Sequence, residues 1–230
     1  MPVFPAHLLH PASVKRSLTG RVISSPPSLS GVTQSIRTDG GGLWQVTYGG
    51  IILRTTDQRR IWGAWDSYLA GGVQRVKVPM IANLDAPRGV QGGRTARYGG
   101  LAFTGDPYFP DAVNYASALV VATASAADLR ATTLTINVTR GVDPKGSEIF
   151  GIRYADGTDR AHRIVRALGG SQYSIDPPLR QAIENDTSLN FDWALVDATV
   201  APGADIAPEY SNGRGEVSIT FQEAIDDVAA

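Results

Sequence analysis

The sequence predicts a mainly β protein with one prominent helix, and three observations carry that expectation. Twenty-five glycines and fourteen prolines are scattered along 230 residues, often in pairs, so short elements are separated by frequent turns. Several short stretches alternate bulky and polar residues, the period-two signature of strands with one buried face. Only one stretch, Thr55 to Gly72, repeats apolar residues three and four apart behind a cap. With 43% hydrophobic and 19% charged residues, the chain has enough apolar material for a real core.

Taken in order, Met1 to Pro11 holds two histidines and three prolines instead of the basic stretch and apolar run of a secretory signal. It reads as an irregular arm. Arg21 to Ser25 is a short apolar run closed by Pro26-Pro27, suited to an edge strand. Asp39-Gly40-Gly41-Gly42 forms a turn into Leu43 to Tyr48, where Trp44, Val46 and Tyr48 share a face. Thr55-Thr56-Asp57-Gln58 matches a capping box, in which the Thr55 hydroxyl accepts from the third amide and Gln58 reaches back. Ile61, Trp65 and Tyr68, with Trp62 and Leu69, give the helix an apolar stripe, and Gly71-Gly72 ends it. Two tryptophans on one turn bury so much area that this helix is expected to clamp across a sheet. Val73 to Met80 is a further strand, with Val76 and Val78 set against Arg75 and Lys77.

Asp85 to Gly100 has no apolar periodicity and reads as a linker or long loop. A second set of strands follows at Leu119 to Ala122, Thr133 to Val138, Ile149 to Tyr154, Ala161 to Leu168 and Tyr173 to Asp176. Asp156-Gly157 marks a hairpin turn, and Pro177-Pro178 ends ladder pairing. Gln181 to Asn185 suggests a helical turn, and Leu189 to Val196 a strand with Phe191, Trp193 and Leu195 on one face. After an irregular stretch from Ala201 to Gly215, Glu216 to Gln222 alternates cleanly. Such a strand must pair, and the sheet of Trp44 and Val46 is its expected partner. The expected organisation is a first domain of residues 1–100 with 197–230, and an inserted β-rich domain of residues 101–196. Trp44, Val46, Trp62, Trp65, Leu69, Ile219 and Phe221 form the expected core of the first.

Chemistry is sparse. Without cysteine there is no disulfide, thiolate nucleophile or thiolate metal site. A net charge of −1 disfavours non-specific nucleic-acid binding and anionic membrane surfaces. No segment approaches the roughly 18 consecutive apolar residues of a membrane span. His7 and His10 lack a third ligand nearby, and His162, on a strand between arginines, suggests a solvated or interface face. There is no Gly-x-Ser-x-Gly elbow for a hydrolase triad. Asp156 and Asp159 bracket a turn, where aspartate usually bonds backbone, and Asp226-Asp227 belong to a C-terminal tail. The glycine clusters lack a phosphate-loop ending, and Gly92-Gly93-Arg94 to Arg97-Tyr98-Gly99-Gly100 is one short Arg-Gly stretch that suits an exposed loop docking on a neighbour. The tryptophans suit packing better than a sugar platform. No catalytic, cofactor or metal residues are expected, and an enzyme is not.

The order of these features resembles a known family. A Trp-bearing strand (Leu43 to Tyr48) leads to a helix Trp62-x-x-Trp65-x-x-x-Leu69-x-Gly71, an apolar strand ending at Pro79, a glycine-rich loop, and Tyr173-x-Ile175-x-Pro177-Pro178-Leu179-Arg180. The pattern is similar to that of distal tail proteins and related baseplate-ring proteins of long-tailed bacteriophages, over most of the chain. That resemblance implies a β-sandwich or belt domain completed by the last strand, and an inserted barrel of the oligonucleotide/oligosaccharide-binding (OB-like) type. It also implies a structural subunit of the virion, assembled in the bacterial host cytoplasm, forming a hexameric homo-oligomeric ring at the tail tip. The ring would join tail tube protein to tail hub protein, with the tape measure protein as a further neighbour. The family supplies no catalytic residues. Irregular segments in such a subunit are expected to reach adjacent copies, through Phe4, His7, Arg94 and Arg97. Two other readings are a tail tube or tail-completion protein, and a host carbohydrate-binding module of the tail tip.

Overall fold

The computed structural model describes residues 1–20, 22–24, 26, 29–31, 33, 35–37, 41–82, 85–87, 120–211 and 213–225. The chain divides into two compact units, Met1–Met80 with Leu195–Ala230, and Ile81–Ala194. The first unit is thus split around the second. The first crossing comes after Met80, ahead of the expected residue 100, and the return crossing comes at Ala194, slightly ahead of Val196.

The first unit opens with α1 (Ala6–Leu9), β1 (Ser13–Thr19) and the short strands β2 (Val22–Ser24) and β3 (Ser35–Arg37). Strand β4 (Leu43–Leu53), helix α2 (Thr56–Leu69) and β5 (Val76–Pro79) follow. The second unit contributes β6 (Val121–Ala124), β7 (Thr133–Arg140), β8 (Ile149–Arg153), β9 (Asp159–Gly169), β10 (Gln172–Asp176) and β11 (Thr187–Asn190). The chain then returns to the first unit with β12 (Leu195–Val200), β13 (Glu209–Ser211) and β14 (Arg214–Glu223).

An open sheet runs β1-β4-β14-β12-β5, with β13 also on β14, while β2 and β3 pair in a separate ribbon. The final strand lies between β4 and β12, with Phe221 opposite Val46 and Ile219 opposite Tyr48. Directly opposed residues share a face. The alternations of β4 and β14 therefore merge into one buried surface that includes Trp44, Val46, Tyr48, Val217, Ile219 and Phe221. Helix α2 and the N-terminal segment cover it. The capping box is present: Gln58 N–H donates to Thr55 Oγ1 at 3.1 Å, and Thr55 N–H to Gln58 Oε1 at 3.2 Å.

Several expectations are corrected in this unit. The buried side of α2 is Trp62 and Leu69, two turns apart, while Ile61 and Trp65 are half-buried and Tyr68 is exposed. Trp65 lies at the rim of the core because Phe4 fills the space beside it, edge-on at 5.5 Å. Phe4 is itself fully buried, stacked on Tyr48 at 5.3 Å and edge-on to Phe221 at 4.9 Å, so it is a core residue and not an inter-subunit contact. The supposed arm folds onto its own unit, since burying Phe4 and Leu9 stabilises by about 2 kcal/mol each. Lys77 N–H donates to Pro2 O and Phe4 N–H to Lys77 O, both at 2.9 Å. Lys77 is buried with the valines flanking it, its ammonium 3.0 Å from the buried Asp197 carboxylate. The stretch Ala201 to Gly215 contains β13, which pairs with β14.

The second unit is a closed antiparallel barrel of order β10-β7-β6-β11-β8-β9. Closure removes every edge. Its six strands are one more than the five of an OB fold. The interior is packed by Leu134, Ile136, Phe150, Ile152, Ile164, Ile175 and Phe191, among others, with Phe150 and Phe191 at 5.4 Å. The β8–β9 hairpin turns at Gly157, whose φ of 82° suits glycine, and Gly157 N–H donates to Tyr154 O. Residues 181–185 form no helical turn: Ile183 bridges Ala127 instead. Leu189 to Val196 is not one strand. It breaks after Asn190, whose Oδ1 accepts from Trp193 N–H at 2.8 Å, and resumes at Leu195 in the other unit. Trp193 is left 40% exposed.

Candidate assembly surfaces

Several ionisable side chains among the described residues are engaged in holding the fold. His162 is wholly buried in β9, which corrects the expected solvated face. Its neighbours alternate as in any strand, but here the barrel wall turns His162 inward, beside Phe150 at 5.7 Å. Nδ1 lies 2.9 Å from Pro177 O, a pure acceptor, so Nδ1 carries the proton. Nε2 then accepts from the Tyr154 hydroxyl at 3.3 Å. Burial drives the His162 pKa down to about 4, aided by Arg180 and Arg160 and opposed by the Pro177 bond. Burial also pushes the Tyr154 hydroxyl up to about 12.

Several carboxylates are similarly occupied. Asp156 accepts from Thr158 N–H at 2.9 Å and Thr158 Oγ1 at 2.7 Å, and these bonds with Gln181 hold it down to about 2. Asp159 pairs with Arg153 at 3.4 Å, and Asp176 with Arg163 at 3.7 Å. Asp192 accepts from Val120 N–H at 3.0 Å. In the first unit Glu223 accepts from Trp44 N–H at 3.0 Å, and the buried Tyr48 hydroxyl donates to Pro79 O. Among the described residues, no group of three or more His, Asp or Glu side chains converges to hold a metal ion.

What remains are surfaces. His7 is exposed on α1 next to exposed Leu8, and Met1 and Val3 are exposed earlier in the N-terminal segment. The β2–β3 ribbon exposes Val22 and Ile36, and Leu29 beyond β2 is fully exposed. Tyr68 and Val73 are exposed at the end of α2, and Tyr210 on β13. Exposed apolar side chains mark contact with another chain where they join into a contiguous patch. Arg94 and Arg97 lie outside the described residues. Sequence reasoning placed an edge strand at Arg21 to Ser25, where β2 lies, but did not read its partner β3 or the exposure of Leu29 between them. It also missed the Lys77–Asp197 pair, whose members stand 120 residues apart.

The chain matches no family model and no curated protein sequence.

Proposed function

We propose that this protein is a structural subunit of the tail tip of a long-tailed bacteriophage, forming a hexameric ring that joins the tail tube to the tail hub. One observation carries the reading. The last strand, β14, is built into the middle of the sheet begun by β4, and a closed barrel is inserted between β5 and β12. That is the split plan of a belt domain with an inserted barrel, which the order of motifs resembles. Exposed apolar residues on short elements, and the engagement of His162, Asp156, Asp159, Asp176 and Asp197 in internal bonds, fit a part whose work is contact. A near-neutral chain also suits a ring through which DNA passes without being held.

The test is quantitative. Native mass measurement of the purified chain should give a closed oligomer, and protein counting in purified virions should give one ring per particle. Many copies per particle would instead indicate a tube protein. A strictly monomeric chain absent from tail particles overturns the proposal.

A further inference from the structure

The open sheet of the first unit is finished differently at its ends. Beyond β5 the chain covers its own edge, with Pro2 O and Phe4 N–H bonded to Lys77. Beyond β1 no strand follows among the described residues, and β13 pairs with β14 alone. A bare edge strand presents a row of outward amides and carbonyls that another strand can join.

The two bare edges match in direction. Strand β1 is antiparallel to β4, β4 to β14, and β14 to β13. It follows that β1 and β13 run antiparallel to each other. Copies arranged head to tail keep their strand direction, so β1 of one copy meets β13 of the next in antiparallel sense.

They also match in charge, on the same face. Lys15 lies opposite Thr47, and Thr47 opposite Thr220, on the side of the sheet away from Trp44 and Phe221. Glu216 follows the alternation of Thr220 onto that side, and Glu209 lies directly opposite Glu216. Two like charges opposed across a strand pair repel. Lys15, Glu209 and Glu216 are all exposed, and none has an ion-pair partner among the described residues.

We infer that the β1 edge of one copy adds to the β13 edge of a second copy of this chain, with Lys15 set against Glu209 and Glu216. This contact rests on the ring reading and supplies the joint that repeats around it. A cation delivered by the neighbour relieves the acidic repulsion. A heterologous joint of this kind does not stop at a dimer: it closes into a ring where the rotation from copy to copy divides a full turn, and otherwise continues as a filament.

Sedimentation and native mass measurement of the full chain test it. Lys15→Glu and Glu209→Lys should each weaken self-association about tenfold or more, and the double reversal should restore it. Because the chain has no cysteine, Lys15→Cys with Glu209→Cys gives a second readout. Within one copy those sites stand across three strand spacings, β1-β4-β14-β13, roughly 14 Å and beyond disulfide reach. An oxidised ladder therefore links different copies. If the unaltered chain self-associates but ignores both charge reversals, or the cysteine pair does not cross-link, the edge pairing is overturned while the ring reading stands. A chain that stays monomeric at every concentration defeats both.

Discussion

His162 shows how a residue type with catalytic credentials becomes a structural part. Its imidazole is held neutral, with Pro177 O fixing the tautomer and Tyr154 donating to the other nitrogen. Its folded pKa of about 4 lies below the ordinary 6.5, so the unfolded chain binds the proton more readily. The sign follows: His162 favours the fold fully above about pH 6.5, and that contribution is lost as pH falls to about 4, on the order of 3 kcal/mol. His162→Gln should flatten the steep part of a stability-against-pH curve in that window, measured by urea unfolding. Phe4 belongs to the same scale. Phe4→Ala should cost roughly 3–5 kcal/mol in thermal or urea unfolding, because the cavity would open among Tyr48, Trp65 and Phe221. His7→Ala, at an exposed site, should leave stability nearly unchanged.

Elements are joined by a few specific devices. Lys77 and Asp197 tie β5 to β12, and their residues are directly opposed in the ladder. Lys77→Met alone leaves a buried carboxylate without its cation, at a cost of roughly 3–5 kcal/mol. Replacing both with Met and Leu should recover most of that loss in the same unfolding assay. At the start of α2, Thr55→Ala removes a cap bonded to the Gln58 amide and should cost about 1 kcal/mol. The capping box, the β8–β9 turn and the two-fold alternation of β4 and β14 were legible because each depends on near neighbours in sequence. The helix face was not. Periodicity gave α2 a broad apolar stripe, but only Trp62 and Leu69 are buried, since the space beside them is filled from the N-terminus.

At the scale of the molecule, the consequence of the split unit is that its sheet is incomplete until β14 is in place between β4 and β12. Removing residues 214–230 takes away the strand between β4 and β12, so the first unit should lose cooperative unfolding altogether. The barrel strands lie wholly within residues 81–194, and a chain of those residues alone should retain a cooperative transition by circular dichroism. The same division accounts for the strand misread at Leu189 to Val196. An apolar run records that residues are buried, but not that two different cores bury them.

By itself the sequence determined the β class, the lone long helix with its cap, the turn positions and the alternating faces of β4 and β14, all of which local sterics and periodicity dictate. It also pointed to the pairing of β4 with β14, because so regular a strand needs a ladder. Tertiary structure alone decided that Phe4 lies inside, that Lys77 meets Asp197, that His162 faces the barrel interior and that the N-terminal segment covers the β5 edge. Those outcomes depend on which distant segments fill the same volume. No spacing along the chain encodes that.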